Sequence, residues 1–509
     1  MHMNSLVNSL ATLKEYVFPE IKKMKPQNLF VFFILGFSII YSLIPSLAYQ
    51  SILPDSAQNL SWGHTWAWSY NRHPPLGTWF ITFMSMICAN NEVATFSASI
   101  LCLSISLVFI FLLSKRYLGS KDAFVACVIS SFSLYYQTNF VLQFNQNSIM
   151  LPFWVLLCYF FDRCIHSNSM RDWFCLAMAT AAAVLAKYES LLIIFITLIY
   201  LLGHLNRKYL YRLILATLLT LLLLTPHLIS VAQHGYLTLE FIRSKVSGNM
   251  GYYVFNRHVY YPIKALIEQL AHLLPAIALL LLLIKTKKVH LAPYKQTCNK
   301  WNYLTYLGVA PLGLVILLSF VFGFKIQPEW GFPLFSFSIP ALFSFFNLKS
   351  RPTLLKPLLL TALLIHGSSL GIYMATNYFS LKLTRTNNPS YLLAQLAQDY
   401  WRQWTKEPLL YVAGDENYDY YLAAYLPNKP MLLEGYSFRL SPWLDKNDIK
   451  KQGMLIVMQG CDPMRNKQLA VRYAAQDSKC IAIPLSNKYQ PQSIKLTLMR
   501  VPPELTGRE

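Results

Sequence analysis

The sequence predicts a polytopic α-helical membrane protein, with about eleven transmembrane helices plus juxtamembrane helices, followed by a small C-terminal α/β domain. Three observations predict it. Of 509 residues, 55% are apolar, 15% aromatic and only 13% charged, about half the charged share of an ordinary soluble domain. Long apolar runs, such as residues 213–232 and 266–284, recur as far as Thr376 and then stop, as spanning helices followed by a soluble tail would. Lys and Arg number 44 against 23 Asp and Glu, a net charge of +21. In a soluble chain this excess would point to nucleic acid, but its placement between spans explains it without one.

Taken in order, the spans read as 29–49, 93–114, 122–141, 148–162, 172–186, 189–203, 213–232, 265–284, 303–323, 330–347 and 354–376. Residues 75–89 are also apolar, but fall short of the roughly 20 residues a spanning helix needs. Charge places them. With the N-terminus inside and 75–89 not crossing, the inner segments hold Lys14, Lys22, Lys23, Lys25, Lys115, Arg116, Lys121, Arg163, Arg171, Arg207, Lys208, Arg212, Lys285, Lys287, Lys288, Lys295, Lys300, Lys349, Arg351 and Lys356. The outer segments hold only Arg72, Lys187, Arg243, Lys245, Arg257, Lys264 and Lys325. A crossing by 75–89 would invert everything downstream and abolish this bias, so 75–89 reads as a helix lying on the outer surface. Residues 1–27 read as a cytosolic leader, too long and polar for a cleaved signal start. Residues 172–186 and 189–203 are short for spans and meet at Lys187-Tyr188-Glu189. The domain division reads as 1–376, a transmembrane domain with outer loops at 50–92 and 233–264, and 377–509, an outer α/β domain.

That tail has a different grammar. Short apolar or β-branched runs at 409–413, 431–433, 454–458, 480–484 and 494–501 are bounded by Gly, Pro, Asn and Asp. They alternate with helical stretches at 390–405 and 418–425, the pattern of a small α/β domain. Of nine cysteines, only Cys461 and Cys480 lie in the tail; a disulfide and two buried thiols stand there as equal alternatives. No CxxC, HExxH, P-loop or GxGxxG pattern occurs, so zinc-finger, zincin and nucleotide-fold readings have no signal.

The chemistry concentrates at the outer ends of the spans. Asp55 follows Pro54 just beyond the first span, where a partly desolvated carboxylate can take a proton from a hydroxyl or hold a cation. The plainer reading is a helix start, given about half the weight of the functional one. Arg72 and His73 precede Pro74-Pro75, stiffly placed to meet an anion at headgroup depth; lipid contact is the plainer alternative. Lys187 at membrane depth needs a partner, such as Glu189 or a phosphate, unless it snorkels outward. The 233–264 loop sets Tyr236, Phe241, Tyr252, Tyr253, Phe255, Tyr260 and Tyr261 beside Arg243, Lys245, Arg257 and His258, which suits a phosphorylated polar ring or an interfacial aromatic belt.

The stretches Leu53-Pro54-Asp55-Ser56-Ala57 and Trp66-Ala67-Trp68-Ser69-Tyr70-Asn71-Arg72-His73-Pro74-Pro75-Leu76 resemble the first periplasmic loop of GT-C glycosyltransferases that use polyprenyl-phosphate sugars. They are most similar to the protein mannosyltransferase-like group that includes the lipid A aminoarabinose transferase. Phe144-Asn145-Gln146-Asn147 before Pro152-Phe153-Trp154, then Leu185-Ala186-Lys187-Tyr188 and Thr225-Pro226-His227-Leu228, extend the resemblance over roughly residues 50–235. It implies a bacterial inner-membrane transferase whose active site and tail face the periplasm. Its partners would be a polyprenyl-phosphate-linked hexose or pentose and a lipid, glycan or protein acceptor in the envelope. Asp55 would be the first-loop acid and general base. Arg72, His73, Asn145, Asn147, Lys187, Tyr188 and Arg257 would bind substrate, with Lys187, His73 and Arg257 toward the phosphate. Two departures matter: Ser56 stands where a second acid is common, and amides replace the acid often found near Asn145–Asn147. No cofactor is implied, and a divalent metal on Asp55 stays open. A transporter or an envelope assembly scaffold is the rival class; a transporter predicts midplane charges and paired repeats, and neither shows in the sequence.

Overall fold

The structure, a computed structural model, describes residues 24–49, 51–137, 141–204, 206–247, 254–293, 300–380, 388–484 and 493–503. Most of the leader, Tyr252, Tyr253 and Cys298 lie outside the described residues. The N-terminal part is helical: α1 (Pro26–Ala48), α2 (Pro54–Gly63), α3 (Leu76–Ile87), α4 (Asn91–Leu118), α5 (Ser120–Ser130), α6 (Gln146–Ser167) and α7 (Met170–Ala186) come first. They are followed by α8 (Leu191–Leu202), α9 (Arg207–Gln233), α10 (Leu237–Ser247), α11 (Tyr261–Lys285), α12 (Tyr303–Phe322), α13 (Ser338–Phe345) and α14 (Leu355–Tyr378).

Among the described residues, 7 helices are long and apolar enough to cross a membrane, those containing α1, α4, α6, α9, α11, α12 and α14. Every other expected span coincides with a shorter helix, and the shortening has local causes. The helix begun at Ser120 stops at Ser130, where the Ser130 and Ser131 hydroxyls bond back to the Ala126 and Val128 carbonyls, competing with the helical ladder. In 330–347, Gly331 and Pro333 hold a tight turn, and helix α13 has only 8 residues, about 12 Å of rise against a hydrocarbon core of about 30 Å. Hydropathy registers composition and is blind to such breaks. Helix α3 spans 12 residues and turns Phe83, Met86 and Ile87 outward, as a surface-lying helix would. Two-thirds of the apolar stretch of α4 and of α6 is buried, against about a quarter to a third for the other long helices, so these two form the centre of the bundle.

Side-chain contacts sort the connections into two ends. At one, Lys115 reaches Gln27, Arg116 pairs with Asp162, Arg163 with Asp172 and Lys349 with Asp122. There β1 (Val289–Leu291) also pairs antiparallel with β2 (Leu348–Ser350). At the other end meet residues 51–75, Gln143–Asn147, Lys187 and the 325–337 connection. These are the two groups of segments that the charge bias assigns to opposite sides.

The tail adds α15 (Ser390–Arg402), α16 (Tyr418–Tyr425), α17 (Lys446–Gln452) and α18 (Pro463–Tyr473) around a five-stranded sheet. Its strands are β3 (Tyr411–Gly414), β4 (Met431–Leu433), β5 (Met454–Gln459), β6 (Asp477–Pro484) and β7 (Ser493–Val501), in the order β4-β3-β5-β7-β6. The first three are parallel and β7 runs antiparallel to β5 and β6. Cys461 and Cys480 form a disulfide, deciding between the two alternatives. The tail docks through α16 onto α2: the Ile52 amide donates to Tyr425 Oη at 2.9 Å, Ser51 and Ser390 hydroxyls meet at 2.7 Å, and Asn91 donates to the Ala424 carbonyl at 2.8 Å.

Candidate active site

Asp55 lies in the first turn of α2, one residue after Pro54. Proline presets the helical φ and its missing N–H costs nothing at a helix start, while a carboxylate there meets the positive end of the helix dipole. Its Oδ2 accepts from Gln143 Nε2 at 2.5 Å and from Asn145 Nδ2 at 3.4 Å. The main-chain carbonyl of Asp55 accepts from Asn59 Nδ2 at 2.8 Å. The carboxylate is half-buried, fixed in orientation yet reachable.

Asn145 joins this group to a second one. It caps α6, with Oδ1 accepting from the Asn147 and Ser148 amides at 2.9 and 3.3 Å, an ordinary N-cap for a short amide side chain. Two residues on, in the same turn, Asn147 Oδ1 accepts from Lys187 Nζ at 2.7 Å. Lys187 is the C-cap residue of α7, where a cation suits the negative helix end. It also pairs with Glu189 at 2.7 Å and lies 6.0 Å from the centre of the Trp330 ring. Asp55 and Lys187 are thus both tied to one helix start, Asp55 to its N-cap residue Asn145 and Lys187 to Asn147, the second residue of the helix.

His73 belongs with the cationic side. Its ring meets Phe241 edge-on at 5.5 Å. Burial, with Lys187, Arg72 and Lys245 nearby, pushes its pKa down to about 3. Burial and these cations thus oppose a positive charge on its imidazole. Arg72 turns toward the tail, pairing with Glu416 at 2.8 Å and Glu434 at 3.0 Å. Burial alone would lower its pKa, but these carboxylates raise it. Tyr188 Oη meets His227 Nε2 at 2.6 Å, and His227 Nδ1 meets the Trp68 carbonyl at 2.7 Å, so Tyr188 braces the first outer loop against α9. Arg257 lies in a wide turn, Asn256–Tyr260, with Nε donating to the Gly323 carbonyl at 3.4 Å. None of the described contacts joins it to Asp55 or Lys187.

Sequence reasoning missed Gln143, Trp330 and the tail acids. Gln143 carried a faint signal, as the first of four amides in Gln143-Phe144-Asn145-Gln146-Asn147; Trp330 and Glu434 carried none. The described hydrogen bonds to the Asp55 carboxylate come from the Gln143 and Asn145 amides. Among the described residues no three His, Cys, Asp or Glu side chains gather as metal ligands.

Comparison with known proteins agrees with this architecture. Residues 72–229 match the model of the dolichyl-phosphate-mannose-protein mannosyltransferase family. No curated protein matches the chain. The structure of ArnT from Cupriavidus metallidurans bound to undecaprenyl phosphate is similar over 94% of this chain and 99% of that one, with a TM-score of 0.61 at 13% identity. The apo structure of the same ArnT is similar over 92% and 97%, with a TM-score of 0.59 at 12% identity. Residues 72–229 thus carry the likeness to that mannosyltransferase family, and the end-to-end likeness to ArnT shows that the chain has the same fold.

Proposed function

We propose that the protein moves a hexosyl or pentosyl group from a polyprenyl-phosphate donor onto a hydroxyl of a cell-envelope acceptor, lipid, glycan or protein, by a single inverting displacement. The observation that carries this reading is the pairing of Asp55 and Lys187 at one helix start through Asn145 and Asn147. The acceptor oxygen attacks the anomeric carbon as the bond to the phosphate oxygen breaks. Asp55 takes the acceptor proton, a role worth roughly 100- to 10,000-fold. The departing phosphate gains one negative charge, which Lys187 is placed to stabilise, with His73 offering a neutral hydrogen bond.

The bound undecaprenyl phosphate in the ArnT structure supports the same lipid class here. The Cys461–Cys480 disulfide favours an oxidising compartment for the tail, which supports a periplasmic orientation in a bacterial inner membrane. Transfer of label from radiolabelled glucose into envelope fractions, compared with and without the protein, tests the reading. A labelled lipid, glycan or protein that depends on the protein identifies the acceptor. No protein-dependent label in any fraction would count against transfer and for the transporter or scaffold.

A further inference from the structure

A deeply buried carboxylate at the contact between tail and membrane domain is Glu434, whose side chain is 2% exposed. A buried carboxylate is costly unless fully satisfied, and this one is satisfied mostly by the first outer loop. Oε2 accepts from Trp62 Nε1 at 3.0 Å and Asn71 Nδ2 at 2.8 Å. Oε1 accepts from Tyr420 Oη at 2.8 Å and Gln58 Nε2 at 3.4 Å, and pairs with Arg72 at 3.0 Å. Gln58 also donates to Tyr420 Oη at 2.7 Å.

Two features make this a built arrangement. Gln58 and Trp62 stand three and seven residues after Asp55 in α2, one helical stripe, so holding both fixes how α2 is rotated and where its first turn presents Asp55. Arg72 is adjacent to His73, so the same carboxylate also fixes the loop that brings His73 beside Lys187. Directly after Glu434 the backbone runs through Gly435 and Tyr436, both at φ 56°. A left-handed conformation is uncommon for a residue as bulky as Tyr436 and persists only where surrounding contacts impose it; here Tyr436 Oη is held by Asp415 Oδ1 at 2.9 Å.

We propose that Glu434 is a positioning residue of the transferase: a tail-domain carboxylate that sets the orientation of α2, and through it of Asp55, so that the membrane domain is catalytically competent only with the tail docked. This rests on the glycosyltransferase reading for its effect on turnover, and on the structure alone for its effect on α2. Misplacing a reacting group by about 1 Å can cost about 100-fold.

The test compares full-length wild type, Glu434→Gln and Asp419→Asn in detergent micelles. Asp419 is a neighbouring buried acid on α16 that makes no contact with the loop among those described. Three quantities are read: amide hydrogen exchange of residues 54–63, affinity for undecaprenyl phosphate, and label transfer per folded molecule. For Glu434→Gln the proposal expects faster exchange in 54–63 and transfer lowered by about 30- to 100-fold, the loss that a small misplacement of Asp55 would give, with lipid affinity changed less than transfer; Asp419→Asn stays near wild type. Wild-type exchange in 54–63, or a transfer loss matched by an equal loss of folded protein, overturns it. If Glu434→Gln does not fold, Trp62→Phe removes a single donor from the loop side and is read in the same way. If the wild-type protein transfers no label, the transferase reading fails, and exchange in 54–63 still decides whether Glu434 positions the helix.

Discussion

Replacing Lys187 by Met keeps the length of the side chain and removes its charge. In the proposed displacement the donor's phosphodiester, a monoanion, leaves as a phosphate monoester bearing one further negative charge. The cation therefore interacts with one more unit of charge after bond breaking than before. For two charges about 4 Å apart in a protein environment of effective dielectric about 20, that interaction is about 4 kcal/mol. Lys187 is already shared with Glu189 at 2.7 Å, which offsets part of it, leaving about 2–3 kcal/mol in the transition state. At 1.36 kcal/mol per decade, Lys187→Met lowers kcat by about 30- to 150-fold. Lys187→Arg, which restores the charge with altered geometry, recovers part of the loss. The assay is single-turnover consumption of a radiolabelled polyprenyl-phosphate sugar, normalised to folded protein. A kcat for Lys187→Met within about threefold of wild type would refute the reasoning, since 0.6 kcal/mol or less is too small for a cation facing the leaving group.

Further outcomes follow from other parts of the structure. His73 has its pKa held near 3 by burial and by Lys187, Arg72 and Lys245, against about 6.5 when unfolded. The unfolded chain binds the extra proton between those values, so the stabilising effect of neutral His73 is present above pH 6.5 and is lost as pH falls toward 3. Thermal melts from pH 7 to 4 should decline less steeply for His73→Asn than for wild type, and parallel curves would contradict this. Cys461 and Cys480 close a loop of sequence separation 19, so Cys461→Ser with Cys480→Ser should lower tail stability by about 3 kcal/mol; a melting temperature insensitive to this change or to reductant would tell against a formed bond. A Cβ on Gly331 would collide with Gln269 Oε1 and Tyr135 Oη. Those two side chains hold the Pro328 carbonyl at 3.1 and 2.7 Å, so Gly331→Ala should displace Trp330 from Lys187 and lower both melting temperature and transfer, by an amount that Gly313→Ala, in open space on α12, does not.

What the sequence disclosed is what local chemistry decides. Apolar runs located the helices, because burial in lipid acts segment by segment. The five tail strands were legible for the same reason, each a short apolar run closed by turn-forming residues. Asp55 and Lys187 stood out because a charge beside an apolar stretch needs an explanation. The rest depends on tertiary partners. Trp62 and Glu434 are separated by 372 positions, and nothing in either neighbourhood announces the other. Arg72 looked like an anion-binding residue and is one, but the anions it meets in the structure are Glu416 and Glu434. The helix in 330–347 is shortened by Gly331 and Pro333, whose effect on continuity a mean hydropathy does not register.

The central claim is that Asp55 is the base of a sugar transfer. The most direct measurement is label transfer into envelope fractions by Asp55→Asn against wild type at equal folded protein, with undecaprenyl phosphate affinity measured on both. Asn keeps the size of the side chain and removes the proton acceptor. The account predicts transfer lowered by about 100-fold or more with lipid affinity retained within about threefold, about 0.6 kcal/mol. Transfer by Asp55→Asn at the wild-type rate would contradict it and move the base elsewhere in the site.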